Sequence, residues 1–278
     1  MPVATRTVPE IACPPLPARL VDAYDASGLL LRRFGAGVED LAVDFQQPPP
    51  YAVTDLLVCC ARRPDGGRVD PSLFWELSVG ARILYLVLLA GMEQTGAFAL
   101  QLRCPQPACR QAIEIDVSVD EVLDKARSDA DEPVDADVDG TLFRLRRPTG
   151  ADQAAWLDEP FHDEAGARAA ILQSLLVDAP PVALPPDWQR VAEAALDAAD
   201  PLVRFNVSIV CPDCEAESAL DVPLAAVALE SVRRAQTRLM ESVHVLASRY
   251  GWSETEVMRI PPWRRGGYLG LVEREQRL

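Results

Sequence analysis

Two pairs of cysteines are the residues whose type and spacing best suit chemistry: Cys104 and Cys109 in RCPQPACR, and Cys211 and Cys214 in VCPDCE. Thiolate sulfurs are soft donors. Four of them around one ion make a closed tetrahedral site, which suits structural zinc and leaves no open position for a substrate water. The expected ligand set is Cys104, Cys109, Cys211 and Cys214 around one Zn2+, with no catalytic residues and no small-molecule substrate. A dithiol redox centre, a disulfide and inert buried thiols are the other readings. Redox work wants the first thiol at a helix N-terminus, where the dipole lowers its pKa, and both pairs here are flanked by strand-like sequence. A disulfide wants an oxidising compartment, which the absence of an apolar signal segment after Met1 does not suggest. Cys13, in a proline-rich stretch, and Cys59 and Cys60, in the apolar run LLVCCA, stand apart from the two pairs, and Cys59 and Cys60 read as small packed hydrophobes. Seven cysteines is an odd number, so at least one is unpaired.

The elements that must hold the pairs repeat. Phe98, Leu100 and Leu102 alternate toward Cys104, and Phe205, Val207 and Ile209 alternate toward Cys211 at the same offsets. That period of two belongs to a half-buried strand. After the second cysteine of each pair, seven residues lead to Asp116 in one copy and Asp221 in the other, and helical patterns follow both. One unit, strand, cysteine turn, strand, helix, is therefore used twice, about a hundred residues apart. The expected fold class is α+β: two zinc-knuckle β-hairpins sharing one four-cysteine site, packed α-helices, and a long C-terminal amphipathic helix.

That long helix is predicted from Pro223 to Tyr250. Leu224, Ala228, Val232, Ala235, Leu239, Val243 and Leu246 recur at three- and four-residue steps, while Arg233, Arg234, Arg238 and Glu241 fall largely opposite. Gly251 ends it, Ser253 with Glu256 opens a second helix as a capping box, and Pro261 and Pro262 break that one. Ser118 with Glu121 is a further capping box, before VDEVLDKAR. FWELSVGARILYLVLLAGM reads as one or two buried helical turns, and its apolar run from 83 to 92 is too short to span a membrane. TLFRLRRPTGADQAAWL reads as a strand, a Pro-Thr-Gly turn and a helix opened by Thr149 or Asp152, with further helices over 165–178 and 187–199. SDADEPVDADVDG, between Ser128 and Gly140, is expected to be a solvated acidic loop, and it lacks the glycine and terminal glutamate of a calcium loop. The domain reading is a partly ordered proline-rich extension over 1–71, then a zinc-binding domain over 72–278. Within that domain lie a first knuckle half at about 96–127, a helical middle at 141–200, and a second half with the C-terminal helices at 201–278.

Composition narrows the partners. A net charge of −15, from 42 acidic and 27 basic residues, opposes general association with phosphate backbones. Nucleic acid is not an expected partner, and neither is a membrane. His162 lies among acids without a nucleophile at useful spacing, and His244 lies on the long helix, so neither reads as a base. No nucleophile elbow, phosphate-cradling glycine loop or HExxH helix occurs. Trp252, Trp263, Arg264, Arg265 and Tyr268 form the main non-metal cluster, a candidate partner contact because tryptophan and arginine anchor interfaces.

Taken in order, LSVGARILYLVLLA, LRCPQPACRQAIEIDV, FRLRRPTGADQAAWL, DPLVRFNVSIVCPDCEAESALDV and HVLASRYGWSETEVMRIPPWRRGGYL resemble the baseplate hub assembly chaperones of contractile phage tails and phage-like injection systems. The resemblance covers about residues 72 to 275. It implies a non-enzymatic, cytoplasmic bacterial protein that builds or stabilises the baseplate hub, with hub or spike proteins as partners. Such a protein either leaves the particle or stays in it. The zinc ligands fall on Cys104, Cys109, Cys211 and Cys214. One departure is the first turn, which holds four residues between its cysteines where two is usual. A generic zinc-ribbon adaptor in another complex, or a CxxC thiol-disulfide oxidoreductase, are the alternatives.

Overall fold

The computed structural model describes residues 10–93, 96–126, 132–178 and 184–277. Strands β1 (Glu10–Ala12), β2 (Leu30–Arg32) and β3 (Ala61–Arg62) form an antiparallel sheet in that order. Helices α1 (Ala18–Tyr24) and α2 (Pro49–Cys60) connect them. Pro49 and Pro50 start α2 rather than break it, because the first turn has no N–H to lose. Leu20, Leu31, Leu56 and Leu57 from this region are wholly buried in the main core. The expected partly ordered extension is thus corrected over residues 10–71, since its short apolar stretches are spaced to cover one side of the core. Residue 71 is no boundary either: Asp70 caps α3 (Pro71–Glu76) by accepting from the Ser72 N–H at 2.9 Å. The first nine residues lie outside the described set.

Helix α4 (Val79–Glu93) is buried on almost every side, as a helix apolar all round must be. The Tyr85 hydroxyl donates to the Pro14 carbonyl at 3.1 Å, tying the N-terminal segment to it. Then comes the first cysteine unit: β4 (Ala97–Arg103), β5 (Ala112–Ser118) and α5 (Val119–Lys125), with the Ser118–Glu121 capping box formed.

The middle of the chain holds the expected strand and three helices, preceded by one strand that was not expected. β6 (Val134–Val138) pairs antiparallel with β7 (Thr141–Leu145), so the acidic segment is a strand over VDADV rather than a loop. Its Val134, Ala136 and Val138 face inward while Asp135 and Asp137 face solvent, an alternation that outweighs the low strand propensity of aspartate. Residues 128–131 of that segment lie outside the described ones. Helices α6 (Gly150–Asp158), α7 (Glu164–Ser174) and α8 (Trp188–Ala199) follow, and Phe143, Leu145, Leu172 and Trp188 make a separate small core.

The RPTGAD segment has a packing reason. It docks antiparallel on the start of α4, with Val79 N–H to the Pro148 carbonyl at 2.8 Å and Gly150 N–H to the Leu77 carbonyl at 3.1 Å. Beneath it lies Arg82, 2% exposed, whose guanidinium donates to the Pro50 and Phe74 carbonyls and the Thr54 hydroxyl; burial pulls its pKa down to about 10. A Cβ on Gly150 would lie 2.4 Å from Arg82 Nη1. Gly150→Ala is therefore expected to displace a buried charge from its acceptors and cost about 2–3 kcal/mol, read as a lower denaturant midpoint. An unchanged midpoint would mean that Arg82 has room to shift.

The second cysteine unit is β8 (Asn206–Val210), β9 (Glu217–Asp221) and α9 (Leu224–Tyr250), which runs the predicted length and ends at Gly251 with φ of 70°. α9 lies along α4 and buries Leu224, Ala228, Val232, Ala235, Val243 and Leu246. Helices α10 (Glu254–Arg259), with the predicted Ser253–Glu256 capping box, and α11 (Pro262–Gln276) pack back on α9. No helix among the described residues is long and apolar enough to cross a membrane.

Candidate metal centre

Each hairpin is anchored at its base and carries sulfur at its tip. At the base, Phe98 faces Val117 across β4–β5, and Val222 N–H bonds to the Phe205 carbonyl at 2.7 Å across the second hairpin. All four side chains are buried in the main core. Toward the tips, Ile113 and Ile209 bury against Ile115, Val207 and Leu220 in a small cluster shared by both hairpins. The two turns are built alike. Cys104 N–H bonds to the Gln111 carbonyl at 2.8 Å and Cys211 N–H to the Ala216 carbonyl at 3.1 Å. Arg110 and Glu215, each directly after the second cysteine, take positive φ of 55° and 56°.

The wider first turn is absorbed locally. Arg110 N–H bonds to the Gln106 carbonyl at 3.2 Å, as Glu215 N–H bonds to the Cys211 carbonyl at 2.9 Å. Residues 106–110 thus repeat the tight turn of 211–215, and the two additional residues only set Cys104 further back.

The sulfurs meet across the hairpins. Cys104 Sγ lies 3.7 Å from Cys214 Sγ, and Cys109 Sγ 3.7 Å from Cys211 Sγ, with all four within 4.8 Å of one another. A disulfide needs about 2.05 Å. Sulfurs bound tetrahedrally about 2.3 Å from a central ion lie about 3.8 Å apart. The donor set therefore fits a metal ion, and the four cysteines can hold one. The same crowding opposes four bare thiolates. The Gln111 backbone bond favours the Cys109 thiolate, but burial and the facing sulfurs of Cys211 and Cys214 push its pKa up to about 12. Burial likewise raises Cys104. Cys211 moves the other way, to about 7, because the Cys214 and Asp213 backbone N–H groups point at its sulfur.

The remaining thiols are packed. Cys60 is fully buried and burial pushes its pKa well up; Cys13 is raised to about 12 and Cys59 to about 11 for the same reason.

The candidate partner contact divides. Trp263 is 57% exposed and Arg264 is exposed, its guanidinium donating to the Tyr268 hydroxyl at 2.9 Å. Trp252 and Tyr268 are partly buried and pack with Tyr250, Trp252 stacking on Tyr250 at 4.6 Å. Arg265 is corrected: it is 4% exposed, donating to the Gly35 carbonyl and to Met258 Sδ, because α11 folds back over the N-terminal loop. That loop is pinned by Asp40, fully buried, which accepts two bonds from Arg32 and one each from the Gly35 and Gly37 N–H groups. Sequence reasoning passed over Asp40 and Arg32, and the seven residues between them carry no pattern that marks the pair.

Comparisons with protein-family models, curated proteins and solved structures return no match for this chain.

Proposed function

We propose that this chain is a non-enzymatic, zinc-stabilised assembly factor or structural component of the baseplate hub of a contractile phage-tail-like injection system. The observation that carries the reading is the meeting of two cysteine turns from opposite halves of the chain. Zinc is the ion proposed for Cys104, Cys109, Cys211 and Cys214, since four thiolates at tetrahedral spacing match its preference and give a closed site. It would pin two hairpins that are each only two strands wide and marginal alone. The baseplate role is supported by the ordered segments that resemble the hub chaperones. RPTGAD and YGWSE each have a place in the packing.

Elemental analysis of the purified chain is expected to find one zinc per molecule, and stripping it with a chelator to lower Tm by roughly 20 °C. Tagged chain is expected to capture purified hub or spike protein of a contractile tail. Zinc without hub binding would favour an adaptor in some other complex. The depressed Cys211 thiol favours a second reading, a thiol-disulfide exchange centre. Its 1% exposure opposes that reading, and thiols that resist titration until zinc is removed would exclude it.

A further inference from the structure

A groove of about 900 Å³ lies between the N-terminal loop at Phe34 to Ala36, the middle of α9 and the α10–α11 junction. Its charge is opposite to that of the molecule. Four arginines and one glutamate line it, on a chain of net charge −15. The single acid, Glu93, is 7% exposed at its side chain and already held by Arg33 through two bonds of 3.0 and 3.1 Å. Among the described residues, Arg238 and Arg259 are exposed and make no ion pair within 4.0 Å; the acid that feels the Arg259 charge is Glu256, on its own helix. Arg265 is buried at the groove wall with its Nε lacking a hydrogen-bond partner. Asp40, the acid acting on it, is engaged by Arg32. The half-buried Leu239 and Leu269 add apolar surface over the buried Phe34 and Met258, and Trp263, 57% exposed, stands at the edge.

We propose that this groove docks an acidic peptide segment of a partner protein, one that places carboxylates on Arg238 and Arg259 and an apolar side chain beside Trp263. Guanidinium groups pair carboxylates in a planar, two-bond geometry. The apolar part of the lining asks for a side chain that a phosphate backbone does not have. A nucleic acid strand would also have to run on past a strongly acidic surface, where a short peptide need not. That the partner is a hub protein rests on the function proposed above; the chemistry of the groove does not.

The test uses the full chain and a fluorescein-labelled peptide of Asp and Glu interleaved with Leu and Phe, followed by anisotropy. Binding is expected, falling steeply between about 0.05 and 0.5 M salt. Arg238→Glu combined with Arg259→Glu is expected to weaken it about ten-fold or more at unchanged Tm, and Trp263→Ala to weaken it as well. A peptide with Asn and Gln in place of the acids is expected not to bind. Equal binding by the charge-reversed variant, no binding of the acidic peptide, or preference for a single-stranded oligonucleotide would each overturn the proposal. The same variants go into the hub pull-down. Wild-type chain that binds the peptide but no hub protein keeps the groove and removes the hub reading. Hub captured equally well by the charge-reversed variant keeps the hub reading and overturns the groove as the place where the hub docks.

Discussion

Cys211→Ser is expected to leave the purified chain without bound metal and largely unfolded or aggregated at temperatures where the wild type is native. The hydroxyl that replaces the sulfur is a poor zinc ligand, and three thiols remain in a space built for four. Metal binding of this kind contributes on the order of 10 kcal/mol to folding. That is as large as the whole stability of an ordinary domain, about 5–15 kcal/mol. The damage should not stay at the tips, because Phe98, Val117, Phe205 and Val222 carry each hairpin into the main core. Circular dichroism and elemental analysis on the same preparation check it. A variant that kept both its metal and its Tm would refute the shared four-sulfur site.

Asp40→Ala is expected to cost about 3–5 kcal/mol, the penalty for stranding a buried partner charge. The residue left behind is Arg32, 7% exposed, whose pKa the Asp40 carboxylate raises against the pull of burial; its remaining acid is Glu39, 35% exposed at its side chain and shared with Arg62. The variant also loses the acceptor for the Gly35 and Gly37 N–H groups, at 2.7 and 3.1 Å. Through that loop the loss reaches α9, because Gln236 donates to the Asp40 and Val43 carbonyls at 3.0 and 2.9 Å. Replacing both partners, Asp40→Leu with Arg32→Met, should recover much of the loss, since no unpaired charge then stays buried. Urea midpoints of wild type, single and double variants check the pair. A single variant within about 1 kcal/mol of wild type would show that Glu39 or water takes up the Arg32 charge.

Local chemistry was readable where neighbouring residues settle it. The two capping boxes announced in the sequence are formed, at Ser118 and Ser253, and the structure adds a third from Thr149 to Asp152, because a cap needs only a hydroxyl and an acid three residues on. The α9 face was equally plain, since a stripe at helical spacing over 27 residues has one buried side. What misled was composition. The acidic VDADV segment suggested a loop, yet apolar residues at alternate positions suffice for a strand once Phe143 pairs across from Ala136 and Trp188 of α8 joins the same core. Prolines suggested a loose extension, yet Pro49 and Pro50 merely begin a buried helix.

The two duplicated hairpins, their four thiols and the long amphipathic helix were legible along the chain, because period, spacing and caps are properties of neighbouring residues. Contacts between distant parts of the chain put residues 10–71 into the core, turned Arg265 inward while leaving Trp263 exposed, and set Arg238 and Arg259, without ion pairs, on one groove. Those outcomes depend on contacts such as Arg265 with Gly35, 230 residues apart in the chain. Burial and charge balance are set by which distant surfaces meet, and no local pattern carries that information.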